Sequence, residues 1–245
     1  MDRTIGGDRL AIDGTYNLRE LGGHQAEGGT IPWGRFFRSD ALAGLTPAGK
    51  QSMADLGIRW IVDLRSDDET VAEPTELPEV TIVHTPIFIS GRPAVEPDRP
   101  ADLDSVYDLM VDAHGDRLTE AVRQIAHADG EAVLVHCTAG KDRTGLVVAL
   151  TLLALGVHRD AVVEDYALTA NYLAGQWADA MLAKMHGSGF PVSSEVSALV
   201  TASPAALMNR IIDRWEAEWG SAADFLAAHG FTESEHALLR SSLLG

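Results

Sequence analysis

The chain has 245 residues, 46% hydrophobic and 22% charged, an ordinary globular composition with room for one large domain or two small ones. A formal net charge of −17 argues against nonspecific attraction to nucleic acid or anionic membranes, and a single cysteine excludes an intramolecular disulfide. Met1–Gly7 has no apolar core, so no cleavable secretory signal is expected; that places the chain in the cytoplasm or exports it without one.

In chain order, Asn17–Gly23 reads as a polar turn with two glycines, and Arg35–Arg38 as a short strand. Thr46 is placed to cap a helix that begins at Pro47 and stops at Gly57. Ile58–Asp63 is a buried-strand pattern that delivers Asp63-Leu64-Arg65-Ser66 at its end, and Val80–Thr85 is a second one. Gly91–Ser105, rich in Pro, Asp and Arg, is predicted to be a loop. From Asp116, Leu118, Ala121, Val122, Ile125 and Ala126 share one helical face, and Gly130 ends that helix. Ala132–Val135 is a strand. Gly145–Leu155 is a helix apolar all round, with a run too short to span a bilayer. Helices follow over Asp160–Tyr172 and Trp177–Met185, then a Gly187-Ser188-Gly189 break. Ser203 is predicted to cap a helix with Pro204 at its first position, and Thr232 with Glu235 forms a capping box for the last one. Strands early and helices late predict one α/β domain over residues 1–245: a central sheet flanked by helices, with a helical C-terminal part. Ligands of such sheets sit beyond the carboxyl ends of the strands, which puts Cys137 and Asp63-Leu64-Arg65 on one rim.

Most of the chemistry lies in His136-Cys137-Thr138-Ala139-Gly140-Lys141-Asp142-Arg143-Thr144-Gly145. A strand, a tight loop and a helix N-terminus make an anion cradle, with loop N–H groups turned inward and the helix dipole behind them. A cysteine seated there is stabilised as its thiolate, a nucleophile, and Arg143 offers a planar fork for two phosphate oxygens. A core cysteine would not need Lys141, Asp142 and Arg143 within six residues, because buried unpaired charge is costly.

The stretch resembles the Cys-x5-Arg-Ser/Thr loop of the cysteine-dependent tyrosine and dual-specificity phosphatases. Together with Asn17–Gly23, Arg38-Ser39-Asp40, Asp63–Ser66, Lys141-Asp142, Asp165-Tyr166, Gly220-Ser221 and Leu238-Leu239-Arg240, it is similar to the bacterial tyrosine phosphatases with lipid-phosphatase-like loops, a family that includes secreted mycobacterial and listerial enzymes. The resemblance implies hydrolysis of phosphotyrosine, with phosphoserine/threonine or phosphoinositides as further substrates. It implies that Cys137 forms a phosphocysteine intermediate, that Arg143 and the amides of Thr138, Ala139, Gly140, Lys141 and Gly145 bind the phosphoryl group, and that Thr144 stabilises the thiolate. His136 would orient the loop, and Arg19, Asp63 and Arg65 would wall the site. No cofactor or metal is implied, and the nine histidines show no ligand spacing.

Four carboxylates compete for the role of general acid: Asp142 inside the loop, Asp102 or Asp104 upstream, and Asp63. Lys141 stands where phosphoinositide phosphatases meet a second ring phosphate. Helices between residues 160 and 219 include a candidate lid carrying Met181, Met185 and Phe190; the alternative is a fixed helical layer. Rival functions are an inositol polyphosphatase and a catalytically silent module that binds phosphorylated ligands.

Overall fold

The computed structural model describes residues 7–89, 102–187 and 194–245. Gly91–Ala101 of the predicted loop, and Ser188, Gly189 and Phe190 of the predicted hinge, lie outside them.

Five strands form the main sheet: β1 (Arg19–Glu20), β4 (Phe36–Ser39), β5 (Ile58–Asp63), β6 (Thr81–His84) and β7 (Ala132–His136). Their spatial order is β1-β4-β7-β5-β6, parallel except for β1, which runs antiparallel on the edge. A separate ribbon pairs β2 (Gln25–Ala26) with β3 (Gly29–Thr30). Ser39 and Asp63 both stand level with His136. The three central strands therefore end together, and the segments that follow them meet on one rim.

The strand side chains alternate between two cores. Phe36, Val62, Val133 and Val135 face the larger core, with α3 (Leu103–Ala113), α4 (Gly115–Ala126), α5 (Asp142–Ala154), α6 (Arg159–Leu173), α9 (Ala205–Trp219), α10 (Ala222–Ala228) and α11 (Glu233–Leu244). Phe37, Ile61 and Leu134 face the smaller core, against Met53 of α1 (Pro47–Asp55) and the N-terminal segment. The sheet centre is thus apolar on both sides, and each such side chain contributes roughly 1.5–3 kcal/mol on burial. Helix α5 is buried on nearly every face, as its composition predicts, and packs against α4, α6 and α10.

Three features differ from the sequence-based expectation. Residues 103–105 open helix α3, capped by Asp102, so the predicted loop ends earlier. Ser203 is not the cap of α9: its hydroxyl accepts from Ala170 N (2.8 Å) and donates to Ala167 O (3.2 Å), because the chain crosses α6 there. Three short helices are also present: α2 (Asp67–Ala72), α8 (Ser194–Thr201) and α10. Each is too brief to display a helical period. With α7 (Gln176–Gly187), α8 packs onto the rim through a small cluster in which Trp177, Met181 and Val200 meet Tyr16 and Ala139.

Candidate active site

The loop that leaves β7 is shaped by its carbonyls. Thr138 O accepts from Ala41 N (3.0 Å), Ala139 O and Gly140 O accept from Asn17 Nδ2 (2.9 and 3.0 Å), Gly140 O also accepts from Arg38 Nη2 (2.7 Å), and Lys141 O accepts from Gly145 N (2.8 Å). In a trans peptide the N–H points opposite its C=O. Four consecutive carbonyls held outward therefore turn the N–H groups of Ala139, Gly140, Lys141 and Asp142 inward. Gly140 makes the turn possible, since φ is +65° and a Cβ would stand 2.2 Å from Ser39 O. Cys137 lies at the base of this cradle, 2% exposed, and α5 begins at Asp142 with its dipole aimed into it.

The anchors beneath the loop form a buried charge network. Asp165 Oδ1 accepts from Arg19 Nε (2.7 Å), and Oδ2 accepts from Arg38 Nη1. Arg19 Nη2 donates to Asp165 O (2.8 Å), and its Nη1 donates to the side-chain and backbone oxygens of Asn17. Burial alone would raise the Asp165 pKa, but the two guanidinium groups hold it below the usual carboxylate range. Burial, with Arg38 as a like-charged neighbour, lowers Arg19 to about 10 against the pull of Asp165. Asp40 holds the backbone N–H groups of Tyr16 and Asn17, and burial pushes it up to about 6 against those same bonds.

Arg143 is gripped end-on. Its Nη1 and Nη2 donate to Glu69 Oε2 and Oε1 at 2.6 and 2.9 Å, and Thr138 Oγ1 donates to the same carboxylate. Glu69 also closes the capping box of α2, accepting from Ser66 N (2.8 Å). Burial opposes the Arg143 charge, but the Glu69 bonds and the Cys137 charge keep its pKa above the ordinary value. Burial likewise works to raise Glu69, and Arg143 overrides it, bringing it to about 2. The Phe88 ring lies 6.0 Å from Arg143 Cζ and walls one side of the fork.

Several predicted site residues lie elsewhere. Arg19 is fully buried behind the loop and is an anchor, not a wall of the cradle. Arg65, 1% exposed, pairs with Asp63 (2.7 Å) and donates to Glu73 O and Thr75 Oγ1, so its fork is spent on structure. Asp63 has both carboxylate oxygens bonded to Arg65, and His136 and Arg65 hold it below the usual carboxylate range against burial. Asp102 caps Ser105 N, and Asp104 pairs with Arg210 (2.7 Å); both carboxylates are engaged at α3. His136 is buried beside Cys137 O (3.1 Å) with its Nε2 3.6 Å from Asp63 Oδ2, and burial lowers its pKa against the pull of Asp63. Thr144 Oγ1 is buried without a hydrogen-bond partner among the described residues, and the expected bond to Cys137 is not made. Lys141, expected to meet a second ring phosphate, is 1% exposed and donates to Val200 O (3.3 Å) because α8 covers it. Asp142 stays partly exposed at the first position of α5, where its Oδ1 accepts from Tyr107 OH (3.0 Å).

Glu69, Asn17, Arg38, Asp165 and Tyr107 complete the arrangement. The Ser66-x-x-Glu69 spacing signals a helix start, but its partner Arg143 is 74 residues away, and no local pattern connects them. Among the described residues, no cluster of His, Cys, Asp and Glu could hold a metal ion, and no helix is long and apolar enough to cross a membrane.

Residues 10–245 match the profile of the tyrosine phosphatase family. The chain belongs to that family. A Cupriavidus necator protein provisionally named a tyrosine-protein phosphatase is 31% identical over 230 residues, covering 89% of this chain and 82% of the relative. The triple-specificity protein phosphatase PtpB of Mycobacterium tuberculosis is 31% identical over 189 residues, covering 63% of this chain and 67% of the relative. TpbA of P. aeruginosa, solved in complex with phosphotyrosine, aligns with a TM-score of 0.41 at 17% identity, covering 75% of this chain and 98% of that one.

The Glu69 contact yields a prediction for this phosphatase. Glu69→Gln keeps the side-chain shape but removes the charge that aims Arg143. We expect kcat/KM to fall about 10²-fold, the size of effect that a misplaced catalytic group produces. Since the folded pKa lies below the ordinary 4.5, the wild-type pair contributes stability above about pH 4.5 and loses it as pH falls towards 2. Acid unfolding curves of wild type and variant should therefore converge at the acid end and separate by roughly 3 kcal/mol near neutrality. Unchanged kcat/KM would show that Arg143 is aimed by other contacts.

Proposed function

We propose that this phosphatase hydrolyses phosphomonoesters through a phosphocysteine intermediate, with protein phosphotyrosine as its first substrate and phosphothreonine or phosphoserine as further ones. One observation carries the reading: Cys137 sits under a ring of inward N–H groups beside an arginine locked by Glu69. In the first step Cys137 Sγ attacks phosphorus, and the P–O bond to the leaving group breaks. The loop amides and the Arg143 Nε edge hold the equatorial oxygens, an interaction that strengthens as charge moves onto them. Asp142 protonates the leaving oxygen and then takes a proton from the water that releases phosphate. Thr144, unpartnered in the resting state, is available to the thiolate as it leaves. PtpB, a triple-specificity relative, supports a broad substrate range.

Phosphoinositides come second in this reading, because Lys141 can meet a ring phosphate only after Val200 withdraws. The test is phosphate release from phosphotyrosine and phosphothreonine peptides and a phosphoinositide panel. We expect phosphotyrosine to lead. Phosphoinositide turnover in first place would invert the substrate assignment, and phosphate binding without turnover on any substrate would identify a binding module.

A further inference from the structure

Behind Asp142 lies a short chain of hydroxyls. Tyr107, on α3, donates its phenol proton to Asp142 Oδ1 at 3.0 Å. Its oxygen lies 2.7 Å from the hydroxyl of Tyr166, on α6. A phenol has one proton, so with Tyr107 donating to Asp142 the second bond must run from Tyr166 to Tyr107. The result is a directed chain, Tyr166 to Tyr107 to Asp142, in which each bond polarises the next. Lys141 Nζ stands on the same carboxylate oxygen at 3.6 Å. Oδ1 is thus claimed by a hydroxyl and an ammonium, while Oδ2 has no partner among the described residues.

The phenols are built into the fold. Both are buried, and their rings meet edge to face at 6.2 Å. Burial, with Asp142 as the next cause, pushes both above the usual tyrosine range, so each remains a protonated donor. Gly145 makes room for the pair, since a Cβ there would stand 3.0 Å from the Tyr166 ring. The residue before Tyr166 is Asp165, which anchors the loop from beneath. Helix α6 therefore sets the loop backbone and, one residue on, backs the loop carboxylate.

We propose that Tyr107, backed by Tyr166, is a positioning residue that reserves Asp142 Oδ1 as an acceptor, so that the transferable proton sits on Oδ2. This rests on the assignment of Asp142 as general acid. In the first step the Oδ2–H bond breaks and its proton passes to the leaving oxygen as the P–O bond breaks and S–P forms. In the second step water attacks phosphorus, its proton returns to Oδ2, and the thiolate leaves. No proton moves along the tyrosines; they hold the carboxyl in register through both steps.

The test is the burst rate of leaving-group release from phenyl phosphate, which needs the proton, and from an activated nitrophenyl phosphate, which does not. Wild type is compared with Asp142→Asn, Tyr107→Phe, Tyr166→Phe and the Asp142→Asn/Tyr107→Phe double variant. Tyr107→Phe should slow the phenyl phosphate burst on the order of tenfold, a part of the ~10²–10⁴-fold that a general acid supplies, and leave the activated ester nearly unchanged. The double variant should be no slower than Asp142→Asn alone, since the two act as one unit. Equal slowing of both esters by Tyr107→Phe, with Asp142→Asn still selective for phenyl phosphate, overturns the positioning role and leaves the acid in place. Equal slowing of both by Asp142→Asn removes the acid assignment and the inference with it. Should Tyr107→Phe fail to fold, Tyr166→Phe gives the same comparison one bond further back, with a smaller loss of the same selectivity expected.

Discussion

Cys137→Ser is expected to abolish turnover while leaving the cradle able to bind phosphate. A serine hydroxyl does not ionise near neutrality, and the adjacent imidazole, His136, is buried beneath the loop with its Nδ1 against the Cys137 carbonyl. The groups that bind the anion are backbone amides and Arg143, all of them independent of the sulfur. We expect kcat to fall by at least about 10⁴-fold, as when a nucleophile is removed from other covalent catalysts, with the affinity for inorganic phosphate changed only a few-fold. Rapid quenching during turnover should yield a phosphorylated wild-type protein and an unmodified variant. A phosphorylated Cys137→Ser protein turning over at a comparable rate would place the nucleophile on another residue.

Asp165→Asn should produce the largest loss of stability. Arg19 and Arg38, both fully buried, converge on this one carboxylate, which is itself 1% exposed. The wild-type network already carries one cation in excess. Without the anion, two guanidinium groups face each other in a dry interior, and breaking such a pair costs about 3–5 kcal/mol. The carboxylate pKa lies below its ordinary value, so its contribution is present above about pH 4 and fades as pH falls through the folded value. The midpoint of urea unfolding at neutral pH should drop accordingly, and the gap should narrow in acid. Activity should fall as well where the variant is folded, because Arg38 is, with Asn17, one of the two donors that hold the Gly140 carbonyl outward. A small stability change together with full activity would show that Asn17 alone keeps the loop in shape.

These expectations depend on contacts that differ in how visible they are in the amino-acid order. The strand at Ile58–Asp63, the caps at Thr46 and Thr232, and the phosphate loop are local. Apolar runs, cap spacing and Gly140 each act within a few residues, and the sequence carries them openly. The fit of Cys137, Arg143 and two glycines to a loop between strand and helix is local in the same sense. Ser203 and the start of α3 depart from their local signals because a crossing helix and an aspartate cap outweigh the nearby proline and loop-like composition.

By itself, the sequence determined that a cysteine, an arginine and a ring of amides share one turn, and that the chain is an α/β phosphatase of this family. Only the tertiary structure decided which charges serve that turn. Glu69 reaches Arg143, Asp165 reaches Arg19 and Arg38, and Tyr107 reaches Asp142 across 35 to 146 residues. It also moved Arg19, Asp63 and Arg65 out of the site and placed Lys141 under α8. The reason is physical. A buried charge must find its partner in space, and the register of parallel strands, not their order along the chain, brings Ser39, Asp63 and His136 to one level.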